Sequence, residues 1–249
     1  GANALQQNTT GASNTAVGQG ALDANTTADN NTAVGSAALG ANVTNAEIVA
    51  VGSEALKNAT ADTNTAVGCF AGQASTTGGE NTMLGNRAMQ NHTTGVRNVA
   101  VGRLALTANT TASNNTAVGY QALTLNTTGT ENVAVGSFAL DANTTGQVNS
   151  AFGHAALTAN TTGNYNTAIG QGALASNTTA SNNVAVGYRA LVTNTTATNN
   201  TALGNLALTT NGGGNGNTAV GSQALYSNTT GSNSTAVGYN ALLANTTSG

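Results

Sequence analysis

Charged and aromatic side chains are scarce in this chain of 249 residues. Asp, Glu, Lys and Arg make up 5% of it and Phe, Trp and Tyr 3%, whereas about a quarter of a typical globular chain is charged. The formal net charge of −3 excludes the basic surface that binding to nucleic acid or to an anionic membrane requires. Because acids, bases and nucleophiles are so few, the composition argues against an enzyme, and we expect no cofactor.

Proline, tryptophan and long apolar runs are missing as well. Without a run of 18 or more apolar residues, no membrane-spanning segment is predicted. The single cysteine, Cys69, excludes an intrachain disulfide. What remains is mainly Asn, Thr, Ala and Gly, and a composition of such low complexity indicates either disorder or a repeat array.

A period of 17 residues decides in favour of a repeat array. A glycine preceded by an apolar residue recurs every 17 residues, with one interval of 16 between Gly52 and Gly68. Numbered from this glycine as positions 0 to 16, the repeat has the consensus G-x-x-A-L-x-x-N-T-T-g-x-x-N-T-A-V. The repeat glycines are Gly18, Gly35, Gly52, Gly68, Gly85, Gly102, Gly119, Gly136, Gly153, Gly170, Gly187, Gly204, Gly221 and Gly238.

The length of the repeat predicts the fold class. Seventeen residues are too few for the common arrays of helix pairs, and Thr and Val beside Gly and Asn favour short strands and tight corners. The lack of proline suits a ladder in which each coil donates hydrogen bonds to the next. We predict an all-β fold, a β-solenoid (β-roll or β-helix) of about 14.6 stacked coils, one continuous array over residues 1–249. With no polar cap at either end, we expect it to be a segment of a longer fibre.

Alternation along a strand assigns side chains to two faces. Val at position 16 and Thr or Val at position 14 are predicted to face the core, and Leu at position 4 is predicted to be the second inward contributor. Ala at position 15 then faces away from that core. Since this alanine hardly varies, we expect the strand to be buried on both sides, either against a second sheet of the same coil or against another chain, and we favour another chain. The alternative is a corner that admits only a small side chain. The predicted core residues are Val101, Val118, Val135, Leu106, Leu123 and Leu140, and the predicted interchain residues are Ala100, Ala117 and Ala134.

Asparagine and glycine columns are interpreted as architectural. Side-chain amides one coil apart can donate and accept along the stack, and glycine accepts a positive φ at a corner. The N-T-T triplets are formal N-glycosylation acceptors, but one glycan per coil, about 5 Å apart, would not fit. The predicted Asn ladder comprises Asn98, Asn115 and Asn132, and the predicted turn glycines are Gly102, Gly119 and Gly136.

Few side chains remain for chemistry. His92 and His154 occupy different repeat positions four coils apart, so we predict no metal site and no catalytic triad. Glu80 and Arg97, both at position 12 of successive coils, are predicted to form an exposed ion pair. Arg87 follows Phe70 at position 2, which predicts a cation–π contact. We expect Cys69, at the variable position 1, to be an exposed thiol.

Two segments resemble a known family. Residues 98–102 (N-V-A-V-G) and 166–170 (N-T-A-I-G) resemble the S-V-A-I-G repeat of YadA-like heads in trimeric autotransporter adhesins. The longer pattern over residues 115–129 resembles repeats of phage tail fibres and related bacterial surface proteins. The resemblance implies an extracellular or cell-surface β-roll, with branched residues in the core and three chains packed through neighbouring strands. The 17-residue coil is longer than in those heads; a triangular left-handed helix of hexapeptides, whose sides V-G-x-x-A-L matches once, is the other relative to consider.

Three functions stay open at this point. The first is a structural, non-catalytic segment of an extracellular surface fibre, which associates with itself laterally or end to end as a homo-oligomer, a trimer included, or as a filament. The second is an adhesin or tail-fibre shaft that binds host-surface glycans or receptors. The third, an ice-binding solenoid, is disfavoured because T-T does not place two hydroxyls on one face as T-x-T does. The side chains expected to face outwards for the second function are Tyr120, Tyr188, Tyr239, Phe70, Phe138, Arg103 and Arg189.

Overall fold

The computed structural model describes residues 1–247 as a β-solenoid with one three-residue strand per repeat and no helix. This confirms the predicted fold class. The chain forms two compact units, Gly1–Thr128 and Gly129–Gly249, each with seven strands. The first unit contains β1 (Thr15–Val17), β2 (Thr32–Val34), β3 (Val49–Val51), β4 (Thr65–Val67), β5 (Thr82–Leu84), β6 (Val99–Val101) and β7 (Thr116–Val118). The second contains β8 (Val133–Val135), β9 (Ser150–Phe152), β10 (Thr167–Ile169), β11 (Val184–Val186), β12 (Thr201–Leu203), β13 (Thr218–Val220) and β14 (Thr235–Val237).

Within each unit, consecutive strands pair in parallel and in register. Ala100 of β6, for example, lies opposite Ala117 of β7, and Ala168 of β10 lies opposite Ala185 of β11. The same repeat position therefore stacks on itself from coil to coil. This register follows from the uniform repeat length, because any slip by one residue would turn every side chain to the other face.

Tight corners follow each strand. In the sixth repeat, the N–H of Ala105 donates to the carbonyl of Gly102 and that of Asn109 to the carbonyl of Leu106, which closes two successive turns. Gly102 has φ +131°, and a Cβ at this position would overlap the carbonyl of Gly119 in the next coil, so glycine is required. Leu106 itself has φ +51°, an uncommon left-handed conformation for a bulky residue, which its complete burial holds in place. The predicted turn glycines Gly102, Gly119 and Gly136 all have φ between +131° and +141°.

The two faces of the strand are the reverse of the prediction. The middle residue of the strand, position 15, is fully buried inside the chain's own solenoid, and its two neighbours lie on the outer face. The predicted core valines Val101, Val118 and Val135 are only half-buried, so that assignment was wrong. Ala100, Ala117 and Ala134 are fully buried within the chain, so their predicted packing against another chain was also wrong. The leucine assignment is confirmed, since Leu106, Leu123 and Leu140 are fully buried.

The interior is too narrow for a large side chain from both walls, which explains the reversal. Leu at position 4 fills the space that faces the strand, so only alanine fits at position 15. The fourth repeat departs from this pattern at both positions, since Gly72 replaces the leucine of position 4 and Met83 replaces the alanine of position 15. A Cβ at Gly72 would lie 2.5 Å from Sδ of Met83, so the methionine occupies the volume that leucine fills elsewhere.

Two buried columns of asparagine line the rest of the interior. At position 13, the backbone N–H of Asn98 donates to Oδ1 of Asn81 (2.9 Å), and the backbone N–H of Asn115 donates to Oδ1 of Asn98 (3.0 Å). The second unit continues in the same way, with Asn149 donating to Oδ1 of Asn132 (3.0 Å). Asn98, Asn115 and Asn132 are fully buried, so the predicted ladder is confirmed, and each amide compensates the cost of its own burial.

Candidate functional site

The outer face of each parallel sheet carries no charged side chain. Its two columns are the side chains of positions 14 and 16, which are Thr, Val or Ser and Val, Leu, Ile or Phe. Phe152 and Ile169, on neighbouring strands of the second unit, are 41% and 42% exposed. Large apolar side chains thus line up in register at the spacing of parallel strands, about 4.8 Å. Such a continuous apolar column is unusual on a solvent-exposed surface and is typical of interaction surfaces.

The N-T-T triplets belong to the architecture. Nδ2 of Asn160, the atom that a glycan would take, is buried and donates to Oδ1 of Asn143 (2.9 Å) and to the carbonyl of Gly163 (3.0 Å). The hydroxyl of the following Thr161 donates to the carbonyl of Thr178 in the next coil (3.1 Å). The geometry therefore supports the interpretation of these triplets as structural caps.

The position-7 column is interrupted in three successive coils of the first unit. Ala59, Ser75 and His92 replace asparagine there, and Oγ of Ser75 is buried without a hydrogen-bond partner. In the second unit the column runs without interruption through residues 143, 160, 177, 194, 211 and 228. From the sequence, His92 was considered only as a possible metal ligand or catalytic residue together with His154. Its place in the position-7 asparagine column was not recognised.

His92 is fully buried and held as a neutral ring. Its Nε2 lies 2.9 Å from the carbonyl of Gly95, and Nδ2 of Asn109 lies 3.3 Å from its Nδ1. Nε2–H therefore donates to Gly95, while Nδ1 accepts from Asn109. Burial lowers the pKa of His92 from 6.5 to about 4, and the bond to Gly95 offsets part of that shift.

Most basic side chains are paired within the chain. Lys57 contacts Glu54 at 3.1 Å, and this contact, together with a bond from Gln73, lowers the pKa of the half-buried Glu54 carboxyl. The predicted contact of Arg87 with Phe70 is confirmed at 5.7 Å from the ring centre. The predicted ion pair of Glu80 with Arg97 was wrong, because Arg97 bonds to Asn114 of the following coil and not to Glu80 of the preceding one.

The remaining arginines differ from one another in their surroundings. Nε of Arg97 donates to Oδ1 of Asn114 in the following coil (3.0 Å). Arg103 lies over the ring of Tyr120 at 5.7 Å and contacts its hydroxyl at 3.4 Å. Over residues 1–247, Arg189 is the only lysine or arginine whose charged group has no hydrogen bond, ion pair or ring contact.

A groove of about 330 Å³ lies beside Arg189 in the second unit. It crosses three coils and is open because Ala155 and Gly172 leave the position-2 column almost without side chains. Its walls carry the polar side chains of His154, Gln171, Tyr188 and Arg189.

Several sequence predictions concern exposure. Tyr120, Tyr188 and Tyr239 are exposed as predicted, and so are Arg103 and Arg189. Phe70 and Phe138 are only half-buried, and Cys69 is half-buried rather than exposed. Within residues 1–247, no three His, Cys, Asp or Glu side chains converge as metal ligands would. Nor does any helix in that range have the length and apolarity to cross a membrane.

Two comparisons with known proteins give no match. No protein-family model matches this sequence, and neither does any curated protein.

Proposed function

We propose that this chain is a structural, non-catalytic segment of an extracellular surface fibre, and that copies of it associate laterally through the outer faces of their sheets or end to end. The observation that carries the proposal is the uncharged, in-register column of Val, Ile, Leu and Phe at position 16 on each sheet. The extracellular placement rests on the resemblance of the repeats to those of bacterial surface fibres.

Lateral association is favoured by what the face is made of. Burial of apolar surface contributes roughly 25 cal/mol per Å², and β-branched side chains lose little rotamer entropy when they are covered. With no charge at positions 14 and 16, two copies can meet without desolvating an ionised group. A net charge of only −3 over 249 residues opposes association weakly.

End-to-end association is favoured by the register of the ladder. Within each unit, every strand donates to and accepts from neighbours of the same sequence pattern, and the asparagine columns repeat with it. A further coil of this repeat would therefore present matching backbone groups, side-chain amides and interior volumes. The proposal includes no catalytic step.

The lateral part is tested by placing charge on the face. In the Phe152→Asp/Ile169→Asp variant, two outward side chains on neighbouring strands become carboxylates, and Thr162→Asp adds a carboxylate at an exposed corner of the same unit as a control. We expect the double variant to keep the far-UV circular dichroism of the parent and to sediment as smaller species. The control should sediment as the parent does.

Two outcomes would contradict the proposal. If the parent chain is monomeric by sedimentation at all concentrations up to about 100 µM, the face does not drive association, since interfaces of standard size bind well below that concentration. If the double variant assembles like the control, association uses another surface. Electron microscopy of the parent assemblies gives the number of chains in the cross-section, with three as one option.

A further inference from the structure

We propose that the groove formed by His154, Gln171, Tyr188 and Arg189 binds an acidic saccharide, a sugar ring that carries a carboxylate or a sulfate group. The groove is lined by repeat positions 1, 2 and 5 and lies apart from positions 14 and 16 of the sheet face. The inference is therefore independent of the proposed self-association.

Arg189 supplies the anion-binding group. It is exposed, and its guanidinium has no partner within residues 1–247, in contrast to Arg103, which lies over Tyr120. No acidic side chain lines the groove. A guanidinium presents parallel N–H groups that match a carboxylate or a sulfate, and charge-assisted bonds of this kind are among the strongest hydrogen bonds in proteins.

The second unit concentrates its positive charge at this groove. Arg189 is the only lysine or arginine after residue 128, and His154 is the only histidine there. Both line the groove, on coils that are separated by one intervening coil. The other charged side chains of the unit, Glu131 and Asp141, do not line the groove, so Arg189 meets no carboxylate there.

The other wall residues favour a sugar over a bare anion. Tyr188 is 44% exposed and lines the groove, and an exposed aromatic ring is a surface on which the C–H groups of a pyranose can pack. Gln171 adds an amide that can donate to and accept from sugar hydroxyls. Gly172, with Ala175 and Val192, supplies the shallow apolar floor. A volume of about 330 Å³ is at the lower end of the range for small-molecule sites, which suits one or two sugar units.

A comparable groove in the first unit serves as a natural contrast. It has about 280 Å³ and is likewise opened by small residues at position 2, Gly20 and Ala37. Its cation, Lys57, is already paired with Glu54, and Asp23 lines the same groove. This groove contains no aromatic side chain, so we assign saccharide binding to the second unit alone.

The test is titration of the full chain, followed by NMR, with four probes: glucuronic acid, N-acetylneuraminic acid, glucose 6-sulfate and neutral glucose. The two carboxylated sugars and the sulfated sugar distinguish the two sources of negative charge. We expect at least one acidic sugar to shift the resonances of Gln171 and Tyr188 saturably, with a dissociation constant in the millimolar range, and glucose to bind about tenfold more weakly or not at all.

Matched variants identify the groove. Arg189→Gln should weaken binding of the acidic sugar about tenfold, and Tyr188→Ala should weaken it too, whereas Arg103→Gln, which removes an arginine already paired in the first unit, should leave it unchanged. Inorganic sulfate that binds as tightly as the sulfated sugar would overturn the assignment to a saccharide. Binding that Arg189→Gln leaves intact, or no saturable shift with any acidic sugar up to 50 mM, about the weakest affinity such a site could have, would overturn the site itself.

Discussion

The buried histidine of the first unit should make its surroundings sensitive to mild acid. His92 is satisfied only as a neutral ring, because Nδ1 faces the amide N–H of Asn109 and Nε2–H faces the carbonyl of Gly95. Protonation of Nδ1 would place two donors against each other in a site that water does not reach. Asn109 cannot relieve this by turning its amide without losing its bond to the carbonyl of Ala112 (3.1 Å).

The size of the effect follows from the two pKa values. Burial lowers the pKa of His92 from 6.5 to about 4, so the unfolded coil binds the proton more tightly than the folded one. The folded state is then fully stable above pH 6.5 and loses stability as the pH falls towards 4. The full difference of 2.5 pKa units corresponds to about 3.4 kcal/mol, and about 2 kcal/mol of it is lost already at pH 5.

Hydrogen exchange at two matched coils measures this directly. The backbone N–H of Thr93 donates to the carbonyl of Thr110 beside His92, and that of Thr161 donates to the carbonyl of Thr178 beside Asn160 in the second unit. Between pH 7 and pH 5, and after correction for intrinsic exchange rates, protection of Thr93 should fall about 20-fold, while that of Thr161 should not change. The comparison stops at pH 5, above the ordinary range of carboxyl groups.

The variant His92→Asn supplies the control, since asparagine occupies this position in most other repeats. Its amide can donate to Gly95 and accept from Asn109, so protection at Thr93 should become independent of pH in this range. The reasoning is refuted if His92→Asn loses as much protection as the parent, or if NMR titration of the folded chain gives His92 a pKa above 6.

Three further experiments test the interior. Ala117→Asp places an unpaired carboxylate inside the solenoid and should lower the free energy of unfolding, measured by chemical denaturation, by several kcal/mol. Val118→Asp, on the outer face, should lower it by less than about 1 kcal/mol. Equal losses would mean that the valine is the core residue. Gly72→Leu and Met83→Ala should each lower the free energy of unfolding by about 2 kcal/mol or more. The double variant should recover most of this loss, which gives a coupling energy of about 2 kcal/mol in a double-mutant cycle. Additive losses would refute the idea that the two side chains compete for one volume. Gly102→Ala should cost about 2 kcal/mol because its Cβ meets the carbonyl of the next coil, and an unchanged melting temperature would contradict that contact.

Repetition made much of the fold predictable. The same residue types recur every 17 residues, glycine keeps a constant position, and proline is absent. Such a sequence can bury its leucines and pair its amides when identical positions stack on one another. The Asn ladder of Asn98 and Asn115 and the buried Leu106 follow from that alone, since amides bond to their own copies and leucine has to be covered.

The faces of the strand were not predicted correctly, although the sequence carries the signal. Position 16 accepts Val, Leu, Ile and Phe, a range of volumes that a close-packed interior would not tolerate. Position 15 departs from alanine only at Met83, in the one repeat where Gly72 frees the space. Reasoning from hydrophobicity placed the larger side chain inside, whereas the constancy of volume points to the smaller one.

The sequence placed Tyr188 and Arg189 among the outward side chains for glycan binding, but it could not single out their groove, because the groove depends on which side chains are missing. Only the small side chains at Ala155 and Gly172 turn the neighbourhood of Tyr188 and Arg189 into a groove. That Arg189 lacks a partner while Arg103 has one depends on which ring lies in the next coil.

The sequence by itself determined the solenoid, its period and its asparagine ladder, because these depend on residue types that recur at fixed spacing. The tertiary structure decided which side of each strand is the interior, because this depends on the distance between opposite walls, and a leucine at position 4 leaves room only for alanine. It also decided the environments of His92 and Arg189, since burial and pairing belong to three-dimensional neighbours rather than to residue types.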